Sequence, residues 1–477
     1  MTRRGWPAWA RATEIVDLVR LSIPIAVSRF AMMVMSLTDA IVLGQNAPDE
    51  LPYVLNSWLP IGVMLGLAMG ILLGVQVLTA ELSGQGREEE TSRVFWRGTW
   101  VALGMGLVMV LLIVPFSDSL FSWVFVSIAP ETGGSNVPAE VIASETASVT
   151  RILALGLPGF TLTTVTAMYL EALRRPLLAT GTMYAGALVN LFFDLAFVAG
   201  WWGLPQLGAE GVAIATTGTR YFLLVVFAVM IFWFTPARRY VVKGGPVGEF
   251  ARQMKVGTGT AISNVAEWGG FNATFVIATW IALSANVVYG YAVQVMGLAF
   301  MIYLGIATAT SVRVAENYGR GDKDGMRDAS RLGVVATLVT GLVLGLIVWV
   351  LRDVITLALV REDAIVGGVV ITTALASVMW LVALATCFDG LQATASMALR
   401  AQDVVWSPTV LHVGSFFMLM LPLGYTLGLT MGRGAQGMLE AAAIALLTAG
   451  VAQVALLEWK TARPGGRAAQ LSGVPGA

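Results

Sequence analysis

Five polar residues interrupt long apolar stretches, and their types set the chemistry. Asp39 lies near the outer end of the run Ile15–Gly44 with no basic neighbour within two turns. Asn190 and Asp194 stand four apart, one helical turn on one face. Glu267 and Asp389 lie near the middle of two later apolar stretches. A carboxylate in hydrocarbon costs at least about 2.5–3.5 kcal/mol, so each needs a partner, a water-filled cavity or a task. Two carboxylates and an amide oxygen in low dielectric either share a proton or hold a small hard cation, with a structural hydrogen-bonded acid as the plainer reading. Trp268 and Phe271 flank Glu267, a carboxylate with aromatic faces that suits an organic cation, although helix-packing hydrogen bonds are the bland account of Glu267 and Asp389.

The elements that must position these residues are membrane helices. Hydrophobic residues make up 57% of 477 and charged residues 12%, against about 25% charged in soluble domains. Mean hydropathy is +0.77. Runs long enough to span recur at 15–44, 52–82, 94–115, 149–172, 177–200, 207–235, 254–283, 285–316, 332–352, 367–399, 404–429 and 434–459. About twelve transmembrane helices are predicted. Of the 29 basic residues, 23 fall in one set of connections and 4 (Arg151, Arg352, Arg361, Arg433) in the other, which predicts both termini in the cytoplasm. Arg29 and Arg220 remain inside helices. No cleavable signal peptide is expected. One cysteine, Cys387, excludes an internal disulfide, and one histidine, His412, excludes a histidine-rich metal cluster. No nucleotide loop, nucleophile constellation or metal-ligand spacing suggests an enzyme.

The halves repeat. Ala80-Glu81-Leu82-Ser83-Gly84-Gln85-Gly86 returns as Ala315-Glu316-Asn317-Tyr318-Gly319-Arg320-Gly321, 235 residues on. Ala26 and Ser28 pair with Ala261 and Ser263, and Asp118 with Asp353, at the same offset. Ala172-Leu173-Arg174 matches Ala398-Leu399-Arg400, and Gly208–Gly211 matches Gly434–Gly437, both at 226. A nine-residue insertion around Thr132–Glu140 accounts for the change. An all-α membrane protein of two six-helix lobes follows, related by a pseudo-twofold axis along the membrane normal. The expected divisions are an N-terminal cytoplasmic segment 1–14, an N-lobe 15–235, a linker 236–253, a C-lobe 254–459 and a cytoplasmic tail 460–477.

With these residues in order, the chain resembles the multidrug and toxic compound extrusion (MATE) transporters from about 12 to 460. The matching features are Pro24, Thr38-Asp39, Glu81-x-x-Gly84-x-Gly86, Asn190-x-x-x-Asp194, Glu267, Gln294, Arg313–Gly321, Asp389 and Ala398-Leu399-Arg400. The resemblance implies a monomeric bacterial inner-membrane antiporter, with no cofactor and no nucleic-acid partner. It would export amphipathic, cationic small molecules in exchange for H⁺ or Na⁺ by rocking two lobes, and its other partner is membrane lipid. It assigns cation coupling to Asp39, Asn190, Asp194, Glu267 and Asp389, the residues where Na⁺ would bind. A substrate cleft is expected at Met32, Met35, Trp268, Phe271 and Gln294. Pro24 serves as a hinge beneath Asp39 or as a passive kink.

Arg29 departs from the family pattern. The repeat puts it level with Asn264, so it is expected to pair with Glu267 or Asp389, with contact to an anionic substrate group as the alternative. Arg220 is expected to pack internally or snorkel. Glu81, Glu316, Arg87, Arg93, Arg313 and Arg320 are expected in ion pairs at the cytoplasmic end, and His412 as a satisfied interior residue rather than a proton relay. A flippase for a lipid-linked saccharide and a channel or structural membrane protein are the rival readings. A flippase calls for a basic cavity, whereas intramembrane acids here outnumber Arg29 and Arg220.

Overall fold

The computed structural model describes residues 12–47, 50–128, 138–360, 365–366 and 368–462. The chain is an all-α, multi-pass membrane protein. Its helices are α1 (Ala12–Asn46), α2 (Leu51–Gly84), α3 (Thr91–Ser122), α4 (Ala139–Leu155), α5 (Leu157–Ala172), α6 (Pro176–Phe197) and α7 (Gly208–Phe234). They continue with α8 (Glu249–Ile281), α9 (Leu283–Arg320), α10 (Lys323–Val350), the short α11 (Arg352–Leu359) and α12 (Ile371–Ala401). Next, α13 (Trp406–Val413) runs through π-helical turns and α14 (Leu421–Leu423) to Thr430, and α15 (Gly434–Ala462) closes the chain. A two-residue hairpin, Ile365–Val366 with Val369–Val370, precedes α12.

Eleven spans are long and apolar enough to cross a membrane among the described residues, one of them the bent pair α4–α5. The twelfth rod, α8, has the length but carries Glu249, Arg252, Lys255 and Glu267. The segment expected at 149–172 instead starts at Ala139 and bends by 43° between α4 and α5. The cause is local: Gly156 sits between the two helices, and Pro158 in the first turn of α5 has no N–H for the preceding turn. Helix α10 begins nine residues before the apolar run expected at 332, because Asp322 caps it through Gly325 N at 2.9 Å. Of the loop around Thr132–Glu140, residues 129–137 lie outside the described residues.

Packing divides the chain into two compact units: 28–79 with 88–252, and 1–27 with 80–87 and 253–477. In the first, α3 crosses α5 so closely that a Cβ on Gly106 would stand 2.6 Å from Pro158 Cα. A strap after α7 is tied to α3: Trp96 Nε1 donates to Ala237 O at 3.0 Å, and Arg97 Nε to Val242 O at 2.8 Å. Arg93 grips Glu249 in a fork at 2.7 and 2.8 Å.

In the second unit the two copies of the Glu-x-x-Gly repeat meet reciprocally. A Cβ on Gly84 would collide with the Glu316 carbonyl, and one on Gly319 with the Glu81 carbonyl. Only glycine permits this backbone approach. Arg313 pairs with Glu14 and Asp17, while Arg93 takes Glu90 and Glu249. Large apolar side chains such as Leu111, Leu188, Trp233 and Met418 are exposed, as a lipid-facing surface requires.

Candidate functional site

In the first unit, α1, α2, α5, α6 and α7 enclose a cavity of about 100 Å³. Met35, Met69, Trp58 and Phe160 supply its apolar wall, and Asp39, Asn190, Thr216, Arg29 and Arg220 its polar one. Helical spacing accounts for the grouping. Met35 and Asp39 are one turn apart on α1, as are Asn190 and Asp194 on α6, and Thr216 and Arg220 on α7.

Asp39 and Asp194 are both buried, at 8% and 0% exposure. Thr216 Oγ1 donates to Asp39 Oδ2 at 3.2 Å. Asp194 and Asn190 are close neighbours of Asp39, and the Asn190 amide nitrogen is itself buried without a partner. Yet two facing carboxylates offer acceptors and no donor, and Asp39 Oδ1 and both oxygens of Asp194 are buried without one. Burying such oxygens unpaired is costly. A proton shared between the pair, or a hard cation among these oxygens, removes the deficit.

Arg29 lines the same cavity but is bound elsewhere. Its Nη2 lies 3.2 and 3.3 Å from the two oxygens of Glu171 on α5, and Gln76 Nε2 donates to Glu171 at 3.3 Å. Its partner is thus Glu171, not Glu267 or Asp389, because Glu171 shares its unit and is 1% exposed. The side chain of Met32 lies outside the described residues. Pro24 falls within the continuous helix α1.

The second unit holds another acid cluster. Gln392 Nε2 on α12 donates to Glu267 Oε1 at 3.0 Å and to Asp389 Oδ1 at 3.3 Å. Its carbonyl oxygen faces His412 Nε2 at 2.6 Å, so that ring nitrogen carries the proton. Arg400 reaches Ser263 Oγ at 2.6 Å and also bonds Ser396. Here an amide bridges the two acids, whereas the Asn190 amide nitrogen beside Asp39 makes no bond to either carboxylate. Of the other expected cleft residues, Trp268 is half-buried, Phe271 packs on Phe416 with ring centroids 6.0 Å apart, and Gln294 is exposed. None of the three lines the cavity beside Asp39.

Glu171, Gln76, Thr216, Gln392 and Arg400 enter these clusters without having been singled out from the sequence as site residues. Glu171 and Gln392 carried a readable signal, since both are polar within apolar spans. Thr216 carried none, because threonines are common in such helices.

The family model MatE matches residues 24–196 and 260–426. A protein of Caulobacter vibrioides described as "Probable multidrug resistance protein NorM" is 32% identical over 94% of this chain and 93% of its own. The "Multidrug resistance protein PmpM" of Pseudomonas aeruginosa is 29% identical over 87% and 84%. Among solved structures, a multidrug resistance MATE transporter of the MOP superfamily in an outward-facing conformation superposes with a TM-score of 0.81 at 18% identity, covering 94% of this chain and 96% of that one. A MOP superfamily transporter from Pyrococcus furiosus, described as having a binding pocket of reverse polarity, gives 0.81 at 17% identity over the same shares.

Proposed function

Because the chain belongs to the MATE family of membrane transporters, we propose that it exports amphipathic, cationic small molecules in exchange for H⁺ or Na⁺ entering at the Asp39–Asp194 pair. The observation that carries this reading is the donor deficit: three buried carboxylate oxygens without a partner, beside a cavity with soft, aromatic walls. Such a site has two states, loaded and empty, that differ in charge and in hydrogen bonding. Only a difference in cation affinity between two conformations can drive transport. Asn190 and Thr216 would orient the acids, and methionine and aromatic surface would accept varied ligands. The protein would act in the inner membrane of a bacterium with both termini in the cytoplasm, as the basic residues favour.

The flippase reading needs free positive charge for phosphates. Arg29 is already neutralised by Glu171, and Arg220 on the same cavity is outnumbered by Asp39 and Asp194, which argues against it. The test is ethidium transport by the full-length protein in liposomes, with a pH gradient or a Na⁺ gradient imposed alone. One of the two should drive movement of the dye, and Asp39→Asn should abolish the response while the protein remains folded. Undiminished cation-driven transport by Asp39→Asn would refute the proposal.

A further inference from the structure

We propose that Arg220 is the fixed counter-charge of the Asp39–Asp194 pair and limits that site to one monovalent cation. The inference rests on the coupling role argued above. The charges around the cavity are few. Glu171 and Arg29 cancel each other as a buried ion pair. What remains is Asp39 and Asp194 against Arg220, one turn from the Thr216 that bonds Asp39. Fully ionised, these three groups carry one net negative charge. A single H⁺ or Na⁺ brings the site to neutrality, and a second leaves it positive in a medium that penalises uncompensated charge. Without Arg220 the same acids would call for two monovalent cations.

The guanidinium is held in place by the break in the fourth span. Where α4 ends, its last carbonyls lose their helical partners. Three side chains of α7 take them up: Thr217 Oγ1 donates to Ile152 O at 2.9 Å, Arg220 Nη1 to Leu153 O at 3.1 Å, and Tyr221 OH to Leu155 O at 2.8 Å. Arg220 also lies over the Phe160 ring at 5.7 Å. A Cβ on Gly156 would come within 3.0 Å of its Nη1, so the glycine at the break makes the room. The carbonyl end of α4 favours a cation on general grounds. Arg220 is 7% exposed and faces the cavity from that berth.

A mere helix cap and a counter-charge make different predictions. The experiment measures ethidium transport in liposomes as a function of the coupling cation, for the wild type and for Arg220→Lys, Arg220→Gln and Arg220→Met. The neutral variants should half-saturate at roughly tenfold lower cation concentration, with a cation order rising from one towards two. Arg220→Lys should match the wild type in both. Wild-type half-saturation and order in folded Gln or Met variants would overturn the inference, and so would a Lys variant that follows them. Asp39→Asn, run alongside, separates the failures: a wild-type cation response there defeats the coupling role itself, whereas its loss together with unchanged neutral Arg220 variants defeats only the counter-charge.

Discussion

Replacing Glu171 with glutamine leaves Arg29 charged, buried and without its carboxylate. At 3.2 Å, two unit charges attract by roughly 5 kcal/mol at an effective dielectric constant of about 20. Part of that gain is offset by desolvation, because Arg29 and Glu171 are 7% and 1% exposed. Breaking one side of such a pair costs about 3–5 kcal/mol, while replacing both sides with uncharged groups of similar volume is close to neutral. Glu171→Gln should therefore destabilise the protein by about 3–5 kcal/mol, and Arg29→Met/Glu171→Gln should recover most of the loss. The assay is a double-mutant cycle on thermal unfolding in detergent, followed by tryptophan fluorescence and by recovery of monodisperse protein. A second readout is functional. The single variant turns an unmatched positive charge towards the cavity of Asp39, so half-saturation by the coupling cation should move to higher concentration, and the double variant should restore it. Additive losses in the cycle, or a Glu171→Gln variant as stable as the wild type, would refute the reasoning.

Two further sets of changes probe the second unit. Gln392→Leu removes the amide that donates to both Glu267 and Asp389, and should cost about 1–3 kcal/mol by leaving buried acceptors unpaired. The loss should shrink in Glu267→Gln/Gln392→Leu, as thermal unfolding of the set will show. Gly84→Val and Gly319→Val should each abolish monodisperse protein on size exclusion, since either Cβ would collide with the carbonyl of the opposite repeat; alanine at the two positions should fall between valine and wild type.

What the sequence disclosed depended on how far each signal reaches along the chain. Spans were legible because about twenty apolar residues in a row have few other uses. The Glu-x-x-Gly repeat announced a duplicated architecture, and its glycines turn out to stand where the two copies touch. The isolated acids Asp39, Asp194, Glu267 and Asp389 announced themselves by cost alone. Pairings were harder. The repeat placed Arg29 level with Asn264, yet a level in the membrane does not choose among helices at that level, and Glu171 on α5 took the arginine. The bend between α4 and α5 was not anticipated, although Gly156 and Pro158 mark it locally. The caps at the break carried no local mark, because they come from Thr217, Arg220 and Tyr221, some sixty-five residues away.

The two acid clusters look alike in composition and differ in hydrogen-bond supply, and this difference bears on which one moves ions. Each sets two carboxylates near an arginine. Around Glu267, one amide reaches both acids while its carbonyl is held by His412. A cation entering there must first displace an amide that already satisfies both carboxylates. Around Asp39, one hydroxyl serves one oxygen of four, and the other three, like the Asn190 amide nitrogen beside them, make no bond that a proton or a metal ion would have to break. Loading that site forms interactions without breaking any, so its affinity for the coupling ion should exceed that of the amide-bridged cluster. By the same reasoning, neutralising Asp39 should cost transport more than neutralising Glu267. If Glu267→Gln proved the more damaging of the two in the liposome assay, donor supply would not be the property that selects the coupling site.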